Sequence, residues 1–309
     1  MLRMVSLPRK VVEDKRTIMS ARRLQWQGWL FIAPALLFVA VFVLVPLGQL
    51  VALSATDRSL LGGGKFIGFG NYFKIWNDAD FWRALLFTVK YTLILTPILM
   101  GLGFALALLT AQNTPLQRLT RTIVFLPVVI GLSSSSLLWF WLFDEQVGLL
   151  NKLLVDLYVI REPIVWFVSA DLAFWAVVIS ITWKVVGFGM VLFVSGIQAI
   201  NPDIIEAAEM DGAGYWSRVR LMILPLTRRI LLLTTLVSAI GSMLAFDQFY
   251  IMTSGGPRGE TFTAVYWIYQ NSFVSFRLGY GAALSLVLML IIFVFSSLQI
   301  ALTAQSEPS

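Results

Sequence analysis

Hydrophobic positions in this chain neither alternate nor recur every three or four residues; they run on. Six apolar stretches, at about 29–53, 85–110, 123–143, 172–200, 230–252 and 279–303, are separated by short segments that carry nearly all of the charge. A hydrocarbon core is about 30 Å thick and an α-helix rises about 1.5 Å per residue, so each stretch is long enough to cross it. Lipid offers no partner for a backbone N–H or C=O, which forces such stretches into helices. The pattern predicts an all-α membrane protein with six transmembrane helices. One membrane domain is expected over 29–303, flanked by a tail at 1–28 and another at 304–309. The longest connecting segments, 54–84, 144–171 and 253–278, are too short for cores of their own.

Local punctuation refines this. Pro34 and Pro46 fall in the first stretch, Pro97 in the second and Pro127 in the third. Each deletes a helix hydrogen bond and predicts a kink, which either shapes packing or serves as a moving hinge. Ser133 to Ser136 suit close packing by small residues or a polar patch on a solute path. A turn at Gly62-Gly63-Gly64-Lys65 precedes an amphipathic stretch from Phe66 to Phe73, and Trp76, Phe81 and Trp82 are expected in an interfacial aromatic belt. Thr253-Ser254-Gly255-Gly256-Pro257 reads as a turn closing the fifth stretch. The aromatic run from Phe262 to Phe276 is expected at the interface, or dipping back from it.

Composition agrees: 58% of residues are hydrophobic, 13% are charged, and the mean hydropathy is +0.82. Lys and Arg set the orientation, because segments rich in them stay cytoplasmic. The tail 1–25, the 111–121 loop and the 201–229 loop hold thirteen, against eight in the alternate segments, which also hold nine acidic residues. Both termini are therefore expected in the cytoplasm, and the net charge of +6 is a topology signal that calls for no nucleic acid. The polar lead exceeds twenty residues and the apolar run after it is too long for a secretory signal, so the N-terminus is expected to stay uncleaved. With no Cys and no His, the chain lacks thiol nucleophiles, imidazole bases and most zinc or copper sites. Paired carboxylates are missing from the spans too, so no catalytic residue and no metal ligand is assigned.

The 201–229 loop is the most informative segment. Pro202 and Asp203 suit a helix start, since proline fits the first turn and aspartate complements the dipole. Glu206, Ala207 and Ala208 continue the helix until Gly212 and Gly214 break it, and 215–224 can form a second short helix ended by Pro225. Two short helices joined by a glycine corner would lie along the membrane. They would offer Glu206, Glu209 and Asp211 to a soluble partner.

These residues resemble a known family. Glu206-Ala207-Ala208, then Gly212-Ala213, then Ile223-Leu224-Pro225 are similar to the "EAA" loop of inner-membrane permease subunits of binding-protein-dependent ATP-binding-cassette importers. Gly68-Phe69-Gly70-Asn71-Tyr72 and Thr253-Ser254-Gly255-Gly256-Pro257 resemble the sugar and glycerol-phosphate permeases related to the larger maltose permease subunit. The likeness covers about 28–303 and lacks that subunit's extra N-terminal spans and large periplasmic insertion. It implies the type I, MetI-like permease fold in a bacterial inner membrane. It also implies a second permease subunit, two cytoplasmic ATPases that bind ATP and Mg, and an extracytoplasmic solute-binding protein. Residues 206 to about 222 would be a coupling helix seated in an ATPase cleft, with Ala207, Ala208, Asp211, Ala213 and Pro225 around the sensitive Glu206 and Gly212. The chain itself has no phosphate loop: Phe66 follows Gly64-Lys65 where Ser or Thr is needed, and Ser59 stands where the first Gly should be.

The same resemblance carries solute contacts onto Lys184, Val185 and Phe188 in the fourth span and onto Ser238, Ser242 and Ala245 in the fifth. Spacing supports the grouping, since Lys184 and Phe188 are one helical turn apart and Ser238, Ser242, Ala245 and Phe249 fall on one helical stripe. Lys184 either reads an anionic sugar derivative or pairs with Asp247, which an ideal helix turns away from the serine stripe. A stand-alone ion-coupled transporter is the competing reading. It needs acidic groups within spans and usually an internal repeat, whereas Asp247 is the only carboxylate in any span.

Overall fold

The computed structural model describes residues 29–304; apart from the last helical residue, Ala304, the two expected tails lie outside this range, and with them the seven cations of 1–25. The chain runs through α1 (Trp29–Ser54), α2 (Gly70–Trp76), α3 (Ala79–Thr110), α4 (Pro115–Val129), α5 (Leu132–Leu142) and α6 (Leu149–Asp156). It continues through α7 (Ala170–Gln198), α8 (Pro202–Met210), α9 (Tyr215–Leu226), α10 (Arg228–Met243), α11 (Ala264–Tyr269) and α12 (Leu278–Ala304). Four of these, α1, α3, α7 and α12, are unbroken and apolar enough to cross a membrane. The pairs α4–α5 and α9–α10 are bent by 99° and 71°, giving six spans if each pair crosses once.

Two expectations are corrected here. The third apolar stretch is not one helix, because Ile130 and Gly131 are both extended and throw α5 off the axis of α4. The fifth stretch stops at Met243; positions 244–246 are non-helical, and a π-helical turn at Phe249–Thr253 follows. Proline behaves according to its missing N–H. Pro46 and Pro225 each sit two residues beyond a π-helical turn, Ala40–Leu44 and Val219–Ile223, where the register has already moved off the i−4 pattern. Pro225 lies one residue from the end of its helix, which closes at Leu226 before the bend.

α7 is the most enclosed span and α1 the least. The core joins Tyr91, Leu95 and Leu99 of α3 to Phe174, Val177 and Ile181 of α7 and to Phe249 and Met252. Lipid removes the hydrophobic drive for helices to associate, so close backbone approach has to supply the contact. Glycine allows it: a Cβ on Gly103 would come within 3.3 Å of the Met190 nitrogen, and one on Gly187 would fall 2.3 Å from the Val124 carbonyl oxygen. Phe81, expected at the interface, is instead fully buried beside Ile75, Tyr280 and Leu284, whereas Trp76 stays exposed. The Ser133–Ser136 run is part buried packing surface and part exposed. Ser135 and Ser136 are buried in packing, while Ser133 is exposed and donates a hydrogen bond to Asp247.

Candidate functional site

At one end of the bundle, α8 and α9 project beside the 111–114 turn, which Gln198 ties down by donating to the Ala111 carbonyl at 2.8 Å. The Asn201 side chain caps α8 by accepting from the Asp203 N–H at 3.1 Å, with Pro202 in the first turn. The far end of α8 closes in a Schellman turn. Ala213 N–H reaches the Ala208 carbonyl at 2.9 Å, and Gly212 N–H reaches the Glu209 carbonyl at 3.0 Å. That turn needs a left-handed residue, and Gly212 has φ +80 with open space where a Cβ would stand. The spacing from Glu-Ala-Ala to Gly is therefore the spacing of one capped helix end.

Around this corner Ala208 is buried and Ala213 half-buried, whereas Glu206, Ala207, Asp211, Gly212 and Pro225 are exposed. Glu209 is taken up by an ion pair with Arg218 across the corner. The loop also presents apolar side chains that acidic spacing alone does not signal. Met210 is 89% exposed and Trp216 74% exposed, with Leu221 open beyond them. Large apolar groups at a tight charged turn are unfavourable in water for as long as they stay uncovered.

Within the spans, a cavity of about 290 Å³ lies between α3, α5, α7 and α10, at the small end of the range for ligand sites. Val185, Phe188, Ser238, Ser242 and Ala245 line it, together with Tyr91, Asp247 and Gln248, which spacing did not bring to this site. Ser242 is not a free donor, since its hydroxyl bonds back to the Ser238 carbonyl at 2.8 Å.

Lys184 and Phe249 do not line this cavity. Phe249 is fully buried, with its ring 5.1 Å from Tyr91 and 5.2 Å from Phe87. An unbroken helix would place Phe249 with the serines, but the helix is interrupted at 244–246. The same break resets the phase that turned Asp247 away, and brings Asp247 to the cavity wall. Lys184 is 5% exposed and donates to two carbonyls, Pro127 at 3.2 Å and Val128 at 3.1 Å. These lie at the C-terminal end of α4, where the bend removes the donors of a next turn and where a cation suits the helix dipole. Lys184 thus clasps the elbow of the third span, and Asp247, bonded to Ser133 at 2.7 Å, is not its counter-ion.

Lys184→Met should accordingly lower stability by about 1–3 kcal/mol, the usual cost of leaving buried polar groups unpaired. A thermal melt of the purified assembly in detergent measures it. A raised KM for solute with an unchanged melt would place the lysine on the ligand instead.

A larger, polar cavity of about 820 Å³ opens at the opposite end of the bundle, among Arg58, Lys74, Asp78, Trp267, Arg277 and Tyr280. One of its carboxylates is already committed. Asp78 caps α3 and accepts from Tyr280 at 2.6 Å and from Trp267 at 3.2 Å.

Residues 81–305 match the family described as the binding-protein-dependent transport system inner membrane component. Over 282 residues the chain is 36% identical to the lactose transport system permease protein LacF of Rhizobium radiobacter, a match spanning 88% of this chain and 92% of that one. It is 33% identical over 276 residues to the sulfoquinovosyl glycerol transport system permease protein SmoG of Agrobacterium fabrum, spanning 85% and 89%. In fold it superposes on a chain of a bacterial alginate ABC transporter, solved in complex with an alginate pentasaccharide-bound periplasmic protein. The TM-score is 0.79 at 17% identity, over 91% of this chain and 94% of that one. A multi-pass helical bundle that matches this family over most of its length is a transport subunit and not an enzyme: the chain belongs to the binding-protein-dependent transport system inner membrane components.

Proposed function

We propose that this chain is one permease half of an ATP-driven importer of a sugar or sugar derivative in a bacterial inner membrane. It pairs with a second, homologous permease, is driven by two cytoplasmic ATPases that bind ATP and Mg, and is fed by an extracytoplasmic solute-binding protein. Both termini face the cytoplasm in this reading, and no nucleic acid takes part. Carbohydrate is favoured because the two relatives above bear the names of permeases for lactose and for sulfoquinovosyl glycerol. The observation that carries the coupling role is the α8–α9 corner: a capped helix end with Glu206 and Asp211 exposed and with Met210 and Trp216 uncovered beside them. Charged and apolar groups crowded on one rigid elbow fit a cleft in a soluble partner, and closure of the ATPases would move that elbow and rock the spans. The solute path then runs along Val185, Phe188, Ser238, Ser242 and Ala245, with Lys184 and Phe249 holding its wall from behind.

The test is uptake into proteoliposomes. The complete complex with its binding protein should accumulate sugar only when ATP is supplied on the side of the ATPases. Accumulation by this polypeptide alone, driven by a proton or sodium gradient, would overturn the reading in favour of an ion-coupled transporter.

A further inference from the structure

The geometry points to Asp247 and Gln248 as the specificity-determining end of the midspan cavity, built for a solute that is uncharged or carries an amino group and hostile to an anionic one. This rests on the importer reading above and narrows its substrate class.

Three observations converge. First, among the sixteen residues that line the cavity only Asp247 bears a formal charge. The two cations of the spans are engaged elsewhere. Lys184 is turned to the Pro127 and Val128 carbonyls, and Lys90 pairs with Asp171 at 3.9 Å while lying over the Phe174 ring. Second, Asp247 is half-buried and its recorded partner is a neutral hydroxyl, that of Ser133. A carboxylate has about four lone-pair sites, so a single donor leaves most of its accepting capacity unused. Third, the neighbouring Gln248 is 5% exposed, and its side-chain carbonyl oxygen is fully buried with no hydrogen-bond partner. Such a group costs free energy unless something supplies a donor.

The cavity end therefore offers an ionised acceptor with no cation in the lining to match it. A polyhydroxylated ring supplies donors, and hydrogen bonds to an ionised acceptor are roughly twice as strong as neutral ones. The aromatic rings of Phe188, Phe246 and Tyr91 flank the same space and suit the apolar faces of such a ring. A phosphate, sulfonate or carboxylate on the solute would meet the like charge of half-buried Asp247 with no cation in the lining to offset it. Lys184, which sequence alone offers as the reader of an anion, is held off the lining by the elbow it clasps.

The experiment uses the assembled complex with its binding protein in proteoliposomes. ATP-driven uptake is measured for lactose and trehalose, and for sn-glycerol 3-phosphate and glucuronate, with binding-protein affinity determined separately. At least one neutral sugar should be transported. Asp247→Asn should lower its uptake efficiency by roughly tenfold or more, the effect expected for losing a hydrogen bond to a charged group. Gln248→Leu should lower it too, Asp247→Glu should retain most of it, and the affinity of the binding protein should not move. Asp247→Asn is expected to fold, because an amide oxygen still accepts from Ser133. Uptake confined to the two anionic probes, or Asp247→Asn kinetics within about twofold of the parent, would overturn this inference and leave the importer reading standing. Intact assembly and ATP hydrolysis with no sugar uptake at all would remove the importer reading itself.

Discussion

Gly212→Trp is expected to leave the polypeptide in the membrane and to break the link between ATP hydrolysis and solute uptake. Two effects add. The backbone at 212 has φ +80, a conformation that costs an L-residue about 1–2 kcal/mol, so any side chain there strains the Schellman turn that ends α8. The indole then fills the outer side of the corner, where Gly212 leaves open space and where Met210 and Trp216 define the surface to be covered. Gly212→Ala isolates the first effect and should be mild. Gly212→Trp should reduce uptake by more than about tenfold, a loss of over ~1.4 kcal/mol in coupling, while hydrolysis continues out of step with transport. Parallel assays of phosphate release and solute accumulation on one proteoliposome preparation decide the matter. Coupling that survives the tryptophan would mean that the elbow is not the seat of the ATPase.

Gly187→Ala should wedge the third and fourth spans apart with a single methyl. Its Cβ would stand 2.3 Å from the Val124 carbonyl oxygen and 2.9 Å from the Phe125 Cα, all backbone that yields only if α4 and α7 move apart. Overpacking of this kind typically costs about 1–3 kcal/mol, and more where neither side can relax. Lys184 lies one turn earlier on the same face, and its reach to the Pro127 and Val128 carbonyls depends on the same approach. The two defects should therefore fail to add: Gly187→Ala with Lys184→Met should melt close to Gly187→Ala alone, as expected for residues sharing one contact. The unfolding midpoint of the purified complex should fall by several degrees. A midpoint equal to the parent's would refute the close crossing of the third and fourth spans.

How far the fold and site are legible from the chain depends on which interactions are local. The run lengths alone announce a membrane bundle, because lipid leaves a twenty-residue apolar segment no alternative to the helix. The loop between the fourth and fifth spans is equally readable. Asn201, Pro202 and Asp203 open α8, and Gly212 closes it by hydrogen bonds to residues three to five positions back, so its geometry is written within about one helical turn. What escapes are the exposed Met210 and Trp216, since an apolar residue in a short loop does not announce whether it turns in or out.

The cavity lining is legible only as far as each helix stays unbroken. A 3.6-residue period assigns faces as long as the phase is kept, and Ser238, Ser242 and Ala245 do share the cavity. The interruption at 244–246 resets that phase, sending Phe249 into the core and Asp247 to the wall. Lys184 shows the same limit from the other side. Its depth in an apolar run demands polar partners, but the carbonyls that meet the demand lie 56 and 57 positions away, at a bend that exists only because α4 and α5 part there. The sequence by itself determined the apolar helical stretches and the shape of the charged elbow, since backbone hydrogen bonding in lipid and at helix ends is a local matter. Only the tertiary structure decided which polar side chains face the cavity and which face carbonyls, because broken helices lose their phase and a buried charge settles on whatever acceptors the packing brings to it.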